Sequence, residues 1–203
     1  MVTVFGREAN LPIGVDVGSS SVKMVRMKKD AHGYVALGAA RSRIARVLSG
    51  EPDSKSQTAS VVAAIRDCYH SLGAPGHHVV CGVSGPQLAV REFRFPQLSA
   101  DELGPVIRLE AEQASHLDIT HSVLDYQITD GGSAEGDSEA ESSEEVAGVF
   151  AMADSSLVES TLRLIHDASL HAVLMDIDDL ALLNCLWECE PPSDDHSVCV
   201  VDV

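Results

Sequence analysis

Apolar residues alternate with small or polar ones near the start of the chain. Ile13, Val15 and Val17 share one face of a predicted strand, while Gly14 and Asp16 lie on the other face. A glycine and three serines follow, and the apolar pattern resumes at 22–27 as a returning strand. A third strand is predicted at 34–40, so this part of the chain forms an antiparallel meander.

Helical and strand patterns alternate along the rest of the chain. An apolar stripe at 61, 65, 68 and 72 predicts a helix that Gly73 ends. Capping-box patterns that begin at Ser99 and Ser156 predict two further helices. Strands are predicted at 77–83, 88–95, 124–129, 146–153 and 171–177, and a last helix from Asp178 to about 188. The order predicts an α/β fold with a mixed sheet and a small inserted α+β unit.

Charge restricts the classes of partner. The net charge of −17 argues against nucleic acid and against direct adhesion to an anionic membrane surface. Seven acids and no base lie between 129 and 146, so we expect a disordered acidic loop at 130–145. No apolar run approaches the roughly 18 residues of a membrane span.

The five cysteines lack the spacing of a disulfide framework or a zinc site. We therefore expect buried, reduced thiols, which fit the cytoplasm.

The turn between the first two strands is the best candidate for chemistry. Gly18 and the serines 19–21 offer backbone N–H groups and hydroxyls that suit phosphate oxygens. Asp16 is an oxygen ligand suited to hydrated Mg²⁺, and Lys23 adds a positive charge. The two common glycine-rich phosphate-loop patterns are absent. An ordinary hairpin with a polar tip is the alternative interpretation.

Leu11 to Lys23 resembles the first phosphate motif of the actin, Hsp70 and sugar-kinase superfamily, and its triple serine followed by Val-Lys most resembles the PilM family, which is related to FtsA. Further stretches resemble the same family in order, at Phe93–Leu103, Leu109–Gln113, Val123–Ile128 and Met175–Leu183. The similarity therefore runs from about Leu11 to the last residue.

This resemblance implies an actin-like, ribonuclease H-like lobe with a mixed sheet. Residues 1–88 and 175–203 would form subdomain 1A, and residues 89–174 an inserted subdomain 1C that contains the loop 130–145. Val198–Val203 resembles the start of the second phosphate motif and stops one residue before its expected glycine. We therefore expect the N-terminal part of a PilM, without the second lobe and the adenosine motif.

The resemblance also implies a function and site residues. PilM proteins bind ATP with Mg²⁺ in the cytoplasm, at the inner face of the inner membrane, and capture the N-terminal peptide of PilN. The peptide would lie in a groove that involves strand 88–95, and a homo-oligomer is expected from the family's ring or platform role. The implied site contains phosphate-binding Gly18, Ser19, Ser20 and Ser21, Mg²⁺-ordering Asp16, charge-neutralising Lys23, and Asp202 from the second motif.

Two alternatives remain open at this point. A sugar-type kinase of the same superfamily would need a catalytic carboxylate after an apolar strand, for which Asp176 is the candidate. The cytoplasmic part of a type II secretion protein shares the architecture. No residue is evident for activating an attacking water, so we do not expect hydrolysis by this chain alone.

Overall fold

The computed structural model describes residues 11–31, 33–45, 54–96, 98–129, 145–189 and 199. The chain folds as two compact units, a first unit of Met1–Val83 with Ser160–Val203 and a second unit of Ser84–Glu159. No helix among the described residues is long and apolar enough to cross a bilayer.

The first unit contains a five-stranded mixed sheet. Its strands are β1 (Ile13–Val17), β2 (Ser21–Asp30), β3 (Gly33–Arg43), β4 (His78–Val83) and β8 (His171–Ile177), in the order β3-β2-β1-β4-β8. The first three form the predicted antiparallel meander, whereas β4 lies parallel to β1 and β8 parallel to β4. The predicted α/β class with a mixed sheet is confirmed.

Helix α1 (Ser54–Leu72) supplies much of the first core. Ile65 and Cys68 are fully buried together with Val22 and Met24 of β2. Gly73 follows the helix with a φ of 56°, which glycine adopts without strain. The predicted helical stripe and its stop are both confirmed.

The second unit packs one helix on a three-stranded sheet. Strands β5 (Leu88–Pro96), β7 (Glu145–Asp154) and β6 (Ser122–Thr129) pair antiparallel in the order β5-β7-β6. Helix α2 (Ala100–Ala114) contributes Ile107 to a core with Phe150 and Met152. Gly148 has no room for a side chain, because an added Cβ would lie 2.3 Å from the carbonyl oxygen of Gln127.

Carboxylates cap the helices and turns of the second unit. The backbone N–H of Ser99 donates to Glu102 at 3.1 Å, as the first capping box predicts. A hydrogen bond from the Ser99 hydroxyl lowers the pKa of Glu102. Asp118 caps the short 3₁₀ turn Ile119–His121, and its pKa falls to about 2 because the Thr120 hydroxyl and His121 hydrogen-bond to it.

The second predicted capping box is wrong by two residues. Helix α3 (Ser155–Asp167) begins before Ser156, and the carboxylate of Asp154 accepts the Ser156 N–H at 2.7 Å. The N-cap of α3 is therefore Asp154, the last residue of β7. Aspartate is as good an N-cap residue as serine.

The inserted unit has different boundaries from those predicted. The second unit runs over Ser84–Glu159, not 89–174, and its C-terminal boundary falls inside α3. Strand β8 pairs with β4 from His78 opposite His171 to Val83 opposite Ile177. Those backbone hydrogen bonds assign the whole of β8 to the first sheet.

Two of the cysteines are buried and three are exposed, so the expectation of buried thiols was wrong for three. Cys68 and Cys81 are buried, and this burial raises the pKa of both thiols. Cys185 and Cys189 are exposed because α4 (Asp178–Cys189) buries none of its residues, and Cys199 is exposed as well.

Of the acidic loop predicted at 130–145, only Glu145 lies within the described residues. It begins β7, and its carboxylate pairs with Arg94 at 3.3 Å.

Candidate phosphate-binding site

A three-residue turn, Gly18-Ser19-Ser20, joins β1 to β2. The N–H of Gly18 donates to the carbonyl oxygen of Ser21 at 3.1 Å, which closes the turn. The N–H of Ile44 donates to the carbonyl of Ser20 at 3.0 Å, so the turn is also tied to the residue after β3. Three neighbouring chain segments therefore fix the shape of the turn.

Gly18 is required for space. An added Cβ would lie 3.2 Å from the carbonyl oxygen of Ser21, closer than an ordinary contact. The backbone of Gly18 is not among the positive-φ positions, so close approach and not an unusual dihedral explains the glycine.

Asp16 and Lys23 lie opposite each other across the two strands. The Lys23 ammonium donates to the Asp16 carboxylate at 2.6 Å, and the two side chains are 57% and 44% exposed, respectively. The resemblance assigns these residues to phosphate and to Mg²⁺, and the structure brings them together as an ion pair. A ligand that used both would have to separate them.

The three serines have different surroundings. Ser19 and Ser20 are exposed at the tip of the turn. Ser21 is only 3% exposed, and its hydroxyl accepts a hydrogen bond from Nε of Arg41 at 3.2 Å. Two of the three predicted hydroxyls are therefore open to a ligand, and the third holds an arginine.

Arg41 is a site residue that sequence reasoning missed. The third strand was predicted to end at residue 40, whereas β3 continues to Arg43 and pairs Arg41 with Lys23. Extending the strand pairing by three residues would have placed Arg41 beside the turn, because cross-strand neighbours share a face.

These side chains surround a shallow concavity of about 460 Å³ on one face of the meander. It is lined by Asp16, Lys23, Met24, Val25, Ala39, Ala40 and Arg41. The lining therefore contains one carboxylate, two cations and four apolar residues.

The residues fit the phosphate part of a nucleotide bound with Mg²⁺. Exposed hydroxyls, a close glycine turn and cationic side chains suit phosphate oxygens. Among the described residues no group of three or more His, Cys, Asp or Glu could hold a metal directly. A single carboxylate, Asp16, suits a Mg²⁺ that keeps most of its waters. Asp202 lies outside the described residues, so its role stays a prediction.

Two acids at the junction of β8 and α4, Asp176 in the strand and Asp178 at the helix start, have local roles. The Asp176 carboxylate accepts the N–H of Ile177 at 2.8 Å. The Asp178 carboxylate lies against Gly82, where an added Cβ would come within 1.7 Å of its oxygen. Gly82 is therefore a glycine because the carboxylate of Asp178 occupies the place of a side chain.

The solved structures that resemble this one include a pilus protein and a secretion protein. A chain of the PilM-PilN type IV pilus biogenesis complex superposes with a TM-score of 0.68 at 22% identity, covering 86% of this chain and 49% of that chain. The cytoplasmic domain of EpsL, an inner membrane component of the type II secretion system of Vibrio cholerae, gives 0.53 at 11% identity, with coverages of 83% and 58%. At these identities both likenesses show a common fold and no more. The chain spans about half the length of the PilM-PilN complex chain.

A search of curated proteins gives no match. A family model described as type IV pilus assembly protein PilM matches residues 14–203. Because this match covers nearly the whole chain and includes both units, the chain belongs to the PilM family of type IV pilus assembly proteins.

Proposed function

We propose that the chain is the phosphate-binding part of a cytoplasmic ATP-binding protein at the inner face of the inner membrane, where it binds a PilN-like partner. The observation that carries the nucleotide proposal is the β1–β2 turn. It combines a close glycine, two exposed hydroxyls and a pair of opposite charges in a chain of the PilM family.

Each residue of the turn has a defined role in this proposal. The N–H of Gly18 closes the turn on Ser21, so the backbone N–H groups and hydroxyls of Ser19 and Ser20 bind phosphate oxygens, and Lys23 neutralises their charge. Asp16 holds a water of Mg²⁺, which supplies charge neutralisation between the phosphates. Asp202 approaches the same phosphates from the second motif.

Tripolyphosphate is the sharpest probe of this site, because the proposed ligands at the turn contact only the phosphates and their Mg²⁺, and the chain spans about half of the similar PilM structure. Calorimetric titration of the chain with tripolyphosphate and with MgATP should show saturable binding. Gly18→Val should abolish both, because its side chain would meet the Ser21 carbonyl. Unchanged binding by a folded Gly18→Val variant would contradict the proposal.

The partner proposal rests on the second unit. The similar solved structure is titled a complex of PilM with PilN. Strand β5 is an edge strand that pairs with β7 alone among the described residues, and an unpaired strand edge can accept an extended peptide. We infer that the N-terminal peptide of a PilN-like protein adds to β5, in an assembly that also contains further copies of this chain.

Fluorescence anisotropy with a labelled N-terminal peptide of PilN tests this proposal. Saturable binding that an unlabelled peptide competes and a scrambled peptide does not is the expected result. A proline scan over β5 should weaken binding at every second residue, because only alternate N–H groups face an added strand. Equal binding of the native and scrambled peptides would exclude specific capture.

The type II secretion alternative has one supporting observation, the structural likeness to EpsL. The PilM family match favours the pilus role over it and over the sugar-kinase alternative. The same titration with an N-terminal peptide of a type II secretion partner distinguishes the two, since only the cognate peptide should bind.

A further inference from the structure

Positive charge is concentrated in one hairpin of an acidic protein. The chain has 14 lysines and arginines, and six of them lie in the β2–β3 hairpin, residues 21–43, with Asp30 as the only acid in that range. The net charge of the whole chain is −17. The β2–β3 hairpin is therefore a local basic surface, which the overall charge conceals.

The strand register places three of these cations together. Lys23 pairs with Arg41, and Ser21 pairs with Arg43. Residues two apart on a strand share a face, so Lys23, Arg41 and Arg43 lie on the same face next to the Gly18-Ser19-Ser20 turn. Both arginines are exposed.

The three cationic side chains differ in whether a carboxylate neutralises their charge. Lys23 is neutralised by Asp16 at 2.6 Å. Arg41 donates its Nε–H to the neutral hydroxyl of Ser21, and neither arginine has a carboxylate partner among the described residues. The uncompensated positive charge beside the turn therefore belongs to the arginines.

The bond to Ser21 orients Arg41 and leaves most of its donors unused. A guanidinium carries five N–H groups, and this contact uses the one on Nε. The remaining groups form a planar fork that matches two oxygens of a phosphate. Ser21 is the one buried polar residue of the described chain, so its hydroxyl serves as a fixed anchor for the arginine.

We propose that Arg41 and Arg43 bind phosphate oxygens of the polyphosphate ligand at this turn, with Ser21 as the residue that positions Arg41. The inference rests on the proposed nucleotide function and adds to it two cationic ligands from β3. In the free protein these arginines, not the paired Lys23, attract the anion first.

Calorimetric titration of the chain with tripolyphosphate and with MgATP tests the assignment. Arg41→Gln and Arg43→Gln should each weaken tripolyphosphate binding about tenfold, the ordinary effect of losing a charge-assisted hydrogen bond. The matched control is Arg26→Gln, which also removes one positive charge from the hairpin. Arg26 lies on β2 opposite Gly38, three residues after Lys23. This substitution should change the affinity less than about twofold, because the half-buried Arg26 lies on the other face of β2 from Lys23.

Two further variants separate ligand binding from a structural role. Arg41→Lys keeps the charge but loses the fork, so it should bind tripolyphosphate less tightly than the wild type while unfolding at the same urea concentration. Ser21→Ala should weaken binding in the same sense, and should add nothing when combined with Arg41→Gln. Additive effects would exclude the positioning role of Ser21.

The outcomes distinguish this inference from the proposed function. If Lys23→Gln weakens tripolyphosphate binding and the arginine variants do not, only the arginine assignment fails. If the wild type binds neither probe, both fail. Binding of the wild type to phosphatidylglycerol vesicles but not to tripolyphosphate would identify the basic face as a lipid contact and overturn the assignment. If Arg26→Gln lost as much affinity for tripolyphosphate as Arg41→Gln, the effect would come from the total charge of the hairpin, and the arginine assignment would be overturned as well.

Discussion

Separating Asp16 from Lys23 should affect ligand binding much more than folding. Their ion pair is short, at 2.6 Å, but both side chains are about half exposed. Two unit charges at this distance attract by about 1.6 kcal/mol in water. Immobilising the two side chains and screening by salt reduce the net contribution to about 0.2–1 kcal/mol. Lys23→Gln should therefore lower the free energy of unfolding by less than about 1 kcal/mol.

Removing the Asp16 carboxylate should have opposite effects on the binding of tripolyphosphate without metal and with Mg²⁺. Asp16→Asn removes the carboxylate that competes for Lys23, so tripolyphosphate without metal should bind more tightly to this variant. The same substitution removes the oxygen that holds a Mg²⁺-bound water, so the gain in affinity on adding Mg²⁺ should disappear. Lys23→Gln should weaken both. Calorimetric titrations with and without Mg²⁺ measure all four affinities, and urea unfolding followed by circular dichroism gives the stabilities.

Asp30→Asn is the matched control, because Asp30 forms a comparable exposed pair with Lys28 at 3.3 Å at the far end of the same strand. It should leave both affinities unchanged. The reasoning fails if Asp16→Asn weakens metal-free binding, because Asp16 would then support the turn and not compete for Lys23. It also fails if the coupling energy of the double-mutant cycle in unfolding exceeds about 2 kcal/mol, well outside the range of exposed pairs.

Three predictions concern stability and exposure. Gly148→Ala should lower the free energy of unfolding by about 3 kcal/mol or more, since a backbone oxygen 2.3 Å away cannot yield. Gly104→Ala, in α2 where an added Cβ would meet only the Tyr126 hydroxyl at an ordinary contact distance of 3.9 Å, should raise it by up to about 1 kcal/mol, and equal losses in urea titrations would contradict the argument. Hydrogen bonds from Thr120 and His121 lower the pKa of Asp118 to about 2 from 3.8, so the stability it contributes is present above pH 3.8 and is lost as the pH falls toward 2. Asp118→Asn should flatten this acid dependence of the urea midpoint, and an unchanged slope would exclude the carboxylate as its source. A thiol reagent should modify three cysteines in the folded protein and the two buried ones only on unfolding; modification of all five at one rate would contradict the assigned burial.

Features that depend on neighbouring residues in the sequence were predicted well. The alternation at Ile13, Val15 and Val17 identified β1, and the helical stripe that contains Ile65 and Cys68 identified α1. Periodicity reports which face of an element is buried, and that face is a local property. The turn at Gly18 could be located for the same reason.

Features set by pairing between distant residues were not predicted. Arg41 joins the site because β3 continues to Arg43 opposite Ser21, and nothing in the local pattern extends the strand beyond residue 40. The second unit ends inside α3 because Ile165 of that helix packs in the first core. The exposure of Cys185 has the same origin, because α4 is apolar on several sides and its sequence does not indicate which side is covered.

The net charge of the whole chain is a poor predictor of anion binding at the candidate site. At physiological salt, charges separated by more than about 8 Å are largely screened from one another. An anion at the Gly18-Ser19-Ser20 turn therefore interacts mainly with Asp16, Lys23, Arg41 and Arg43, a group with a net charge of +2, and only weakly with the rest of a chain whose net charge is −17. Binding Mg²⁺ at Asp16 would raise this local charge further and release Lys23. The arginines hold their charge with or without the metal, so the affinity without Mg²⁺ should depend on them most.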